Sequence, residues 1–161
     1  MAATGDTVPV SVSAEHFMWF VDNALDQMAV VLRELGDDLA NVRPDIEGAN
    51  SPFAILTHCL GVMEFWGGAA IADRPVQRDR DAEFIATGEV ADLLARAGAA
   101  RRQLESDLAR LPAAPQAPTV VAKGSEPFYE DKGAVLVHVL EELYQHLGQM
   151  ELTRDLLLSD Q

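Results

Sequence analysis

With 161 residues, 48% of them hydrophobic, the chain can bury one sizeable core but not two comfortable ones, and its composition is that of a folding sequence. Acids outnumber bases 26 to 12, for a formal net charge of −14. Phosphate backbones and anionic membranes draw most of their affinity from Lys and Arg, so neither nucleic acid nor a membrane surface is an expected partner.

Cys59 is the only cysteine, which leaves no intramolecular disulfide and no sign of an oxidising compartment. The first residues, MAATGDTVPVSVSAEHF, have no basic n-region and no apolar h-region, so they do not read as a signal peptide. No stretch approaches the roughly 18 apolar residues of a membrane span. A cytoplasmic location is the default expectation. Residues 1–12 read as a flexible tail ahead of a single domain.

Ser13 is a candidate N-cap for a first helix running to about Ala40. Phe17, Val21, Ala24, Leu25, Met28, Val31, Leu32 and Leu35 recur along it at helical spacing. The segment NVRPDIEGAN breaks the period, and SPFAILTHCLGVMEFWGGAAIA opens a second helix with Ser51 as cap and Pro52 at its first position. This helix is so apolar that most of it must be covered. A connection follows from Asp73 to about Gly88, with a short helical turn near DAEF.

The third helix spans about Glu89 to Leu111, with acids in its first turn and Arg110 in its last, as the helix dipole favours. PAAPQAPTVVAKGSEPFYEDKG carries four prolines and reads as a loop. The fourth helix runs from about Asp131 to Leu158, with a seam of Leu136, Leu140, Leu143, Leu147 and Met150. No β-alternation and no internal repeat appears. The expected fold is an all-α four-helix bundle. Its two long connections, about 16 and 20 residues, are of the kind that covers or builds a site.

Polar residues on apolar faces are the informative ones. At about 100° per residue, Glu142 and His146 fall in line with Val135 and Val139 on the fourth helix. His58 lies near the middle of a face formed by Ala54, Ile55, Val62, Phe65 and Ala69, with Thr57 and Glu64 as a narrow polar edge. Singly, each has a plain structural reading: a buried imidazole bonded to a carbonyl and a neighbour, or a carboxylate at the bundle edge. Together they are two histidines and a carboxylate converging from two helices. That is the ligand set of a catalytic zinc site with one open position, and nickel or ferrous iron would accept it too.

His138 would extend the series, but it projects about 80° from His146, towards Glu141 and Gln145 on the outer face, and is left out. Gln149 is near Glu142 in projection, placed to orient a ligand or to sit at the surface. Arg101 and Arg154 point inward on a strict heptad. Each could hold a substrate carboxylate, pair with a protein acid or snorkel past the bundle end. Cys59 projects about 100° from His58, lacks an activating base, and reads as a small core residue.

HVLEELYQHLGQMELTRDLL resembles the last helix of the DinB-like (DinB/YfiT) metalloprotein superfamily, and GANSPFAILTHCLGVMEFWGG its second helix. RDRDAEFIATGEVADLLA resembles the middle of actinobacterial members. The resemblance implies an up-down-down-up bundle and metal ligands at His58, Glu142 and His146. Glutamate at the first paired position resembles the mycothiol-dependent maleylpyruvate isomerase branch. HLGQME departs from the HxGHxD frequent in relatives, with Gln149 in place of a histidine. The implied activity is a thiol-dependent S-transferase or isomerase using mycothiol or a similar low-molecular-weight thiol, with zinc as cofactor and a small electrophile as substrate. Arg78, Arg80 and Tyr129 are candidate contacts for thiol or substrate. A metal-dependent hydrolase and a non-catalytic metal-binding or scaffold bundle are the other two classes, and bundles of this kind often pair as homodimers.

Overall fold

The computed structural model describes residues 11–111 and 131–159, so Tyr129 and most of the proline-rich connection lie outside the described residues. All regular structure within them is helical. Helix α1, Ala14–Ala40, begins where Ser13 Oγ accepts the His16 N–H at 3.1 Å. It is not the single regular helix that the period suggests. Gly36 breaks it with φ +63° and ψ −178°, a conformation essentially closed to residues with a Cβ. The turn after Gly36 makes a latch. Asp37 Oδ1 accepts the Val90 N–H at 2.7 Å, and Asn41 exchanges two hydrogen bonds with the Gly88 backbone at 2.9 and 3.0 Å.

Helix α2 is α-helical over Pro52–Val62 and continues as a π-helix over Met63–Ile71. Every residue of Pro52–Val62 is buried. The whole run Pro52–Ile71 is long and apolar enough to cross a membrane by length and composition, with mean hydropathy 1.3, contrary to the sequence expectation. In the bundle 89% of it is buried, so its apolarity is that of a core helix. Helix α3, Arg80–Glu83, is the short turn expected near DAEF, capped by Asp79 Oδ1 on the Ala82 N–H at 3.1 Å. Helices α4, Val90–Ala109, and α5, Lys132–Ser159, complete the order. Arg110 caps α4 rather than lying in its last turn.

Cross-helix pairs give the directions. Tyr144 meets Phe20 and Asn23, and Arg154 meets Glu34, so α5 runs parallel to α1. Arg101 meets Asp22 while Val90 meets Asp37, so α4 runs against α1. On the other side, Glu142 meets His58 while Lys132 reaches the Ile71 carbonyl, so α5 runs against α2. The bundle is therefore up-down-down-up. Its core is packed from Met28, Leu32, Ile55, Leu56, Leu60, Leu143 and Met150, all fully buried. The α5 seam is rotated from the expected one: Val135 and Val139 are at 0% exposure, whereas Leu136 and Leu140 are only partly covered.

Helix α4 opens with no side-chain bond from its own N-cap, Glu89, and Asp37 supplies the missing acceptor from α1. An N-terminal cap contributes about 1 kcal/mol. Asp37→Ala should lower unfolding stability by about that amount in urea titrations, while Asp38→Ala, one residue along, should leave it nearly unchanged.

Candidate metal centre

α2 and α5 are antiparallel neighbours, and their facing sides bring His58, Glu142 and His146 together. One donor atom from each of the three lies within 4.8 Å of the others. Glu142 Oε2 is 3.3 Å from His58 Nε2 and 3.3 Å from His146 Nε2. Ligand atoms on a tetrahedral zinc, with bonds of about 2.0–2.1 Å, stand about 3.3–3.4 Å apart, so the two spacings to Glu142 match such an ion. His58 is 3% exposed, and His146 and Glu142 are partly buried.

The opposite ring nitrogens decide which lone pairs face inward. His58 Nδ1 donates to Glu83 Oε2 at 2.8 Å, and His146 Nδ1 donates to Gln149 Oε1 at 2.8 Å. With both Nδ1 protons engaged, both Nε2 atoms turn lone pairs towards the same carboxylate oxygen. Three acceptors then share one point with no donor among them. Only a proton or a metal cation relieves that arrangement.

Without a metal, a proton does so. The bond with Glu142 raises His146 above the ordinary imidazole value of 6.5, outweighing its burial. The neighbouring imidazoles, His146 first and then His58, hold the Glu142 carboxyl far below its usual range. The Cys59 thiol, at 0% exposure, is pushed strongly up, by burial first and then by the carboxylates of Glu142 and Glu83. It is a core residue and not a nucleophile.

The structure also places the other residues singled out in the sequence. Gln149 takes the first of its two expected places: it is half-buried and orients the candidate ligand His146. His138 meets Glu141 at 3.1 Å, as its projection gives, but it is largely covered. Its ring meets Trp66 edge-on at 5.2 Å, and its Nε2 comes within 3.7 Å of Glu142 Oε1. Arg101 and Arg154 do not point inward: Arg101 pairs with Asp22, and Arg154 with Glu34 and Asp155, the protein-acid alternative for both. Arg78 holds Glu83 by two bonds, Nε to Oε1 at 2.7 Å and Nη2 to Oε2 at 2.9 Å, and Arg80 lies over the Phe84 ring at 5.1 Å.

Glu83 itself was not singled out in the sequence, where DAEF reads only as a short helical turn. Burial raises its carboxyl, and the bonds from Arg78 and His58 more than reverse that, leaving it lowered overall. One signal in the sequence was available: Gly61, three residues after His58 inside an otherwise bulky helix.

A sequence profile of the DinB superfamily matches residues 21–150. The chain belongs to that superfamily. It is also similar in structure to a conserved protein from Enterococcus faecalis known from a crystal structure, with a TM-score of 0.73 and 16% identity. The likeness covers 93% of this chain and 99% of the other, and at that identity it speaks for the DinB fold alone. No curated protein matches the chain. Superfamily members are usually metal-binding, and the His58, Glu142 and His146 cluster is the candidate site for an ion in this DinB chain.

A cation entering the site must displace the proton that His146 holds, and His146 holds it at pH values where an ordinary imidazole has lost it. Zinc affinity should therefore be level at high pH and should fall by up to about tenfold per pH unit below the raised value, the fall starting above 6.5. Zinc titrations from about pH 6 to 8 check this. An affinity that begins to fall only below 6.5 would show that Glu142 does not raise His146.

Proposed function

We propose that this DinB protein is a divalent-cation-dependent enzyme, a thiol-dependent S-transferase or isomerase whose ion is held by His58, Glu142 and His146. Zinc is the expected ion, and nickel or iron also suits two imidazoles and a carboxylate. The observation that carries this reading is the convergence of both Nε2 atoms on Glu142 Oε2 with each Nδ1 already engaged. When bound, a cation with three protein ligands leaves one position at which an incoming thiol is held as its thiolate.

The chain's own groups serve that position without competing for it. Glu83 and Gln149 keep the two Nδ1 protons, so neither histidine is free to act as an acid or base. Phe84 stacks on the His58 ring at 4.4 Å and 26°, excluding water from one face. Cys59 is sealed in the core, so a thiol reaction needs a sulfur from outside, of the mycothiol or similar low-molecular-weight type. Glutamate at position 142 supports kinship with the mycothiol-dependent maleylpyruvate isomerase branch, and RDRDAEFIATGEVADLLA supports kinship with actinobacterial members. Partners are accordingly a small thiol and an electrophile, with no role for nucleic acid or membrane.

Elemental analysis of untagged protein should find about one divalent ion per chain in the wild type and far less in His58→Ala and Glu142→Ala. With the ion present, turnover of small electrophiles should require added thiol. Turnover of esters or amides without thiol would make the protein a metal-dependent hydrolase. An ion-free wild type after incubation with zinc would leave only a scaffold bundle.

A further inference from the structure

The connection between α2 and α4 does more than return the chain. It places Glu83 and Phe84 on two different sides of the His58 ring. Glu83 Oε2 bonds to Nδ1 at 2.8 Å, and Phe84 stacks on the face with ring centroids 4.4 Å apart. A bond at the ring edge and a stack on its face together leave an imidazole little freedom to rotate. The loop between α1 and α2 braces this segment in turn, through Arg43 Nη2 to the Phe84 carbonyl at 3.1 Å.

Three unfavourable features meet at this one bond. Glu83 is a carboxylate at 7% exposure in a helix of four residues. Arg78, whose side chain is 16% exposed, is drawn in with it. Gly61 stands inside a helix where alanine would be the better helix former. Position 61 cannot carry even a methyl group as the residues stand: a Cβ there would fall 2.0 Å from Glu83 Oε1 and 2.6 Å from its Cδ. Arg78 alone would satisfy both carboxylate oxygens, so pairing does not require Glu83 to reach His58. The groove above Gly61 lets it do so.

We propose that Glu83, admitted by Gly61 and braced by Arg78, is the positioning residue of the cation site, fixing His58 in the tautomer and orientation that present Nε2 to the ion. The affinity of the site is then set in part by the crossover segment and not only by the two ligand-bearing helices. Carboxylate partners of ligating histidines act in this way in metal sites generally. The proposal rests on the cation reading above, and its test separates the two.

The experiment compares full-length wild type with Glu83→Ala, Glu83→Gln and Gly61→Ala, using zinc ion titrated against a fluorescent chelator. Glu83→Ala should bind zinc about 10–100-fold more weakly. Glu83→Gln keeps an acceptor for Nδ1–H and should recover at least half of that loss on a logarithmic scale. Gly61→Ala retains both the Glu83 and Arg78 side chains and only pushes Glu83 off His58, so it guards against misfolding of Glu83→Ala. With folding verified by its melt without metal, it should lose at least about tenfold in zinc affinity. Nitrogen-15 spectra should show His58 protonated at Nδ1 in zinc-loaded wild type, with that signal broadened by exchange in Gly61→Ala. Wild type that binds no zinc overturns the cation reading and this proposal with it. Wild-type affinity in folded Gly61→Ala, or Glu83→Gln no better than Glu83→Ala, overturns the positioning role alone.

Discussion

Three lone pairs aimed at one point are the constraint on which the rest of this structure turns. The two Nε2 atoms and Glu142 Oε2 repel one another until a positive charge joins them, and the surroundings do little to soften that demand. Val135 and Val139 are at 0% exposure one and two turns below Glu142, and the α-helical part of α2 is buried throughout. Core side chains close the inner side of the cluster, and only its outer edge, at Glu142 and His146, is partly exposed. The metal-free protein meets the demand with a proton held towards His146. Everything that fixes the three side chains raises the cost of leaving the point uncharged.

The topology decides what surrounds that point. Because α2 and α4 run in the same direction, the chain leaving Ile71 must travel back the length of α2 before α4 can begin. Twenty residues of α-helix span about 30 Å, and a connection of about 16 residues reaches farther than that when extended, so the segment has slack. It uses the slack to form α3 across the His58 face. The latch at Asp37 and Asn41 then receives the segment's end at Gly88 and Val90. Gly36 makes that latch possible by turning the last residues of α1 off the helix axis. A backbone kink at one end of α1 thus helps to hold the wall of a site built on α2 and α5.

Much of this was legible in the sequence and some was not. The four long helices and the cluster of His58, Glu142 and His146 follow from periodicity, because apolar spacing at 100° steps is what burial selects, and the starts of the first two helices follow from the capping serines Ser13 and Ser51. Glu83 escaped because a four-residue helix has no period, and nothing local tells a buried acid from an exposed one. His138 was misplaced for a different reason. The projection assumed that a helix has one inside, whereas Trp66 covers the flank of α5 as well. On straight α-geometry Trp66 would lie about 80° from His58. Each π turn takes about one residue more than an α turn, so the Met63–Ile71 segment carries Trp66 round towards the His58 face. For the two arginines on the heptad, pairing with a protein acid is the alternative that holds. A strict heptad says where a side chain starts, and a long one ends wherever an acid is, as Asp22 and Glu34 show.

The separation of Cys59 from the cluster completes the logic. It follows His58 directly in sequence, yet the helix turns it into the core, where burial and nearby carboxylates keep its proton on. A thiolate on the histidine face would add a fourth protein ligand and close the site, as in structural zinc centres. Two imidazoles and one carboxylate close only three positions. On the proposed reading, the chain places its one thiol where it cannot reach the ion, and the remaining position stays available to a thiol that arrives from outside.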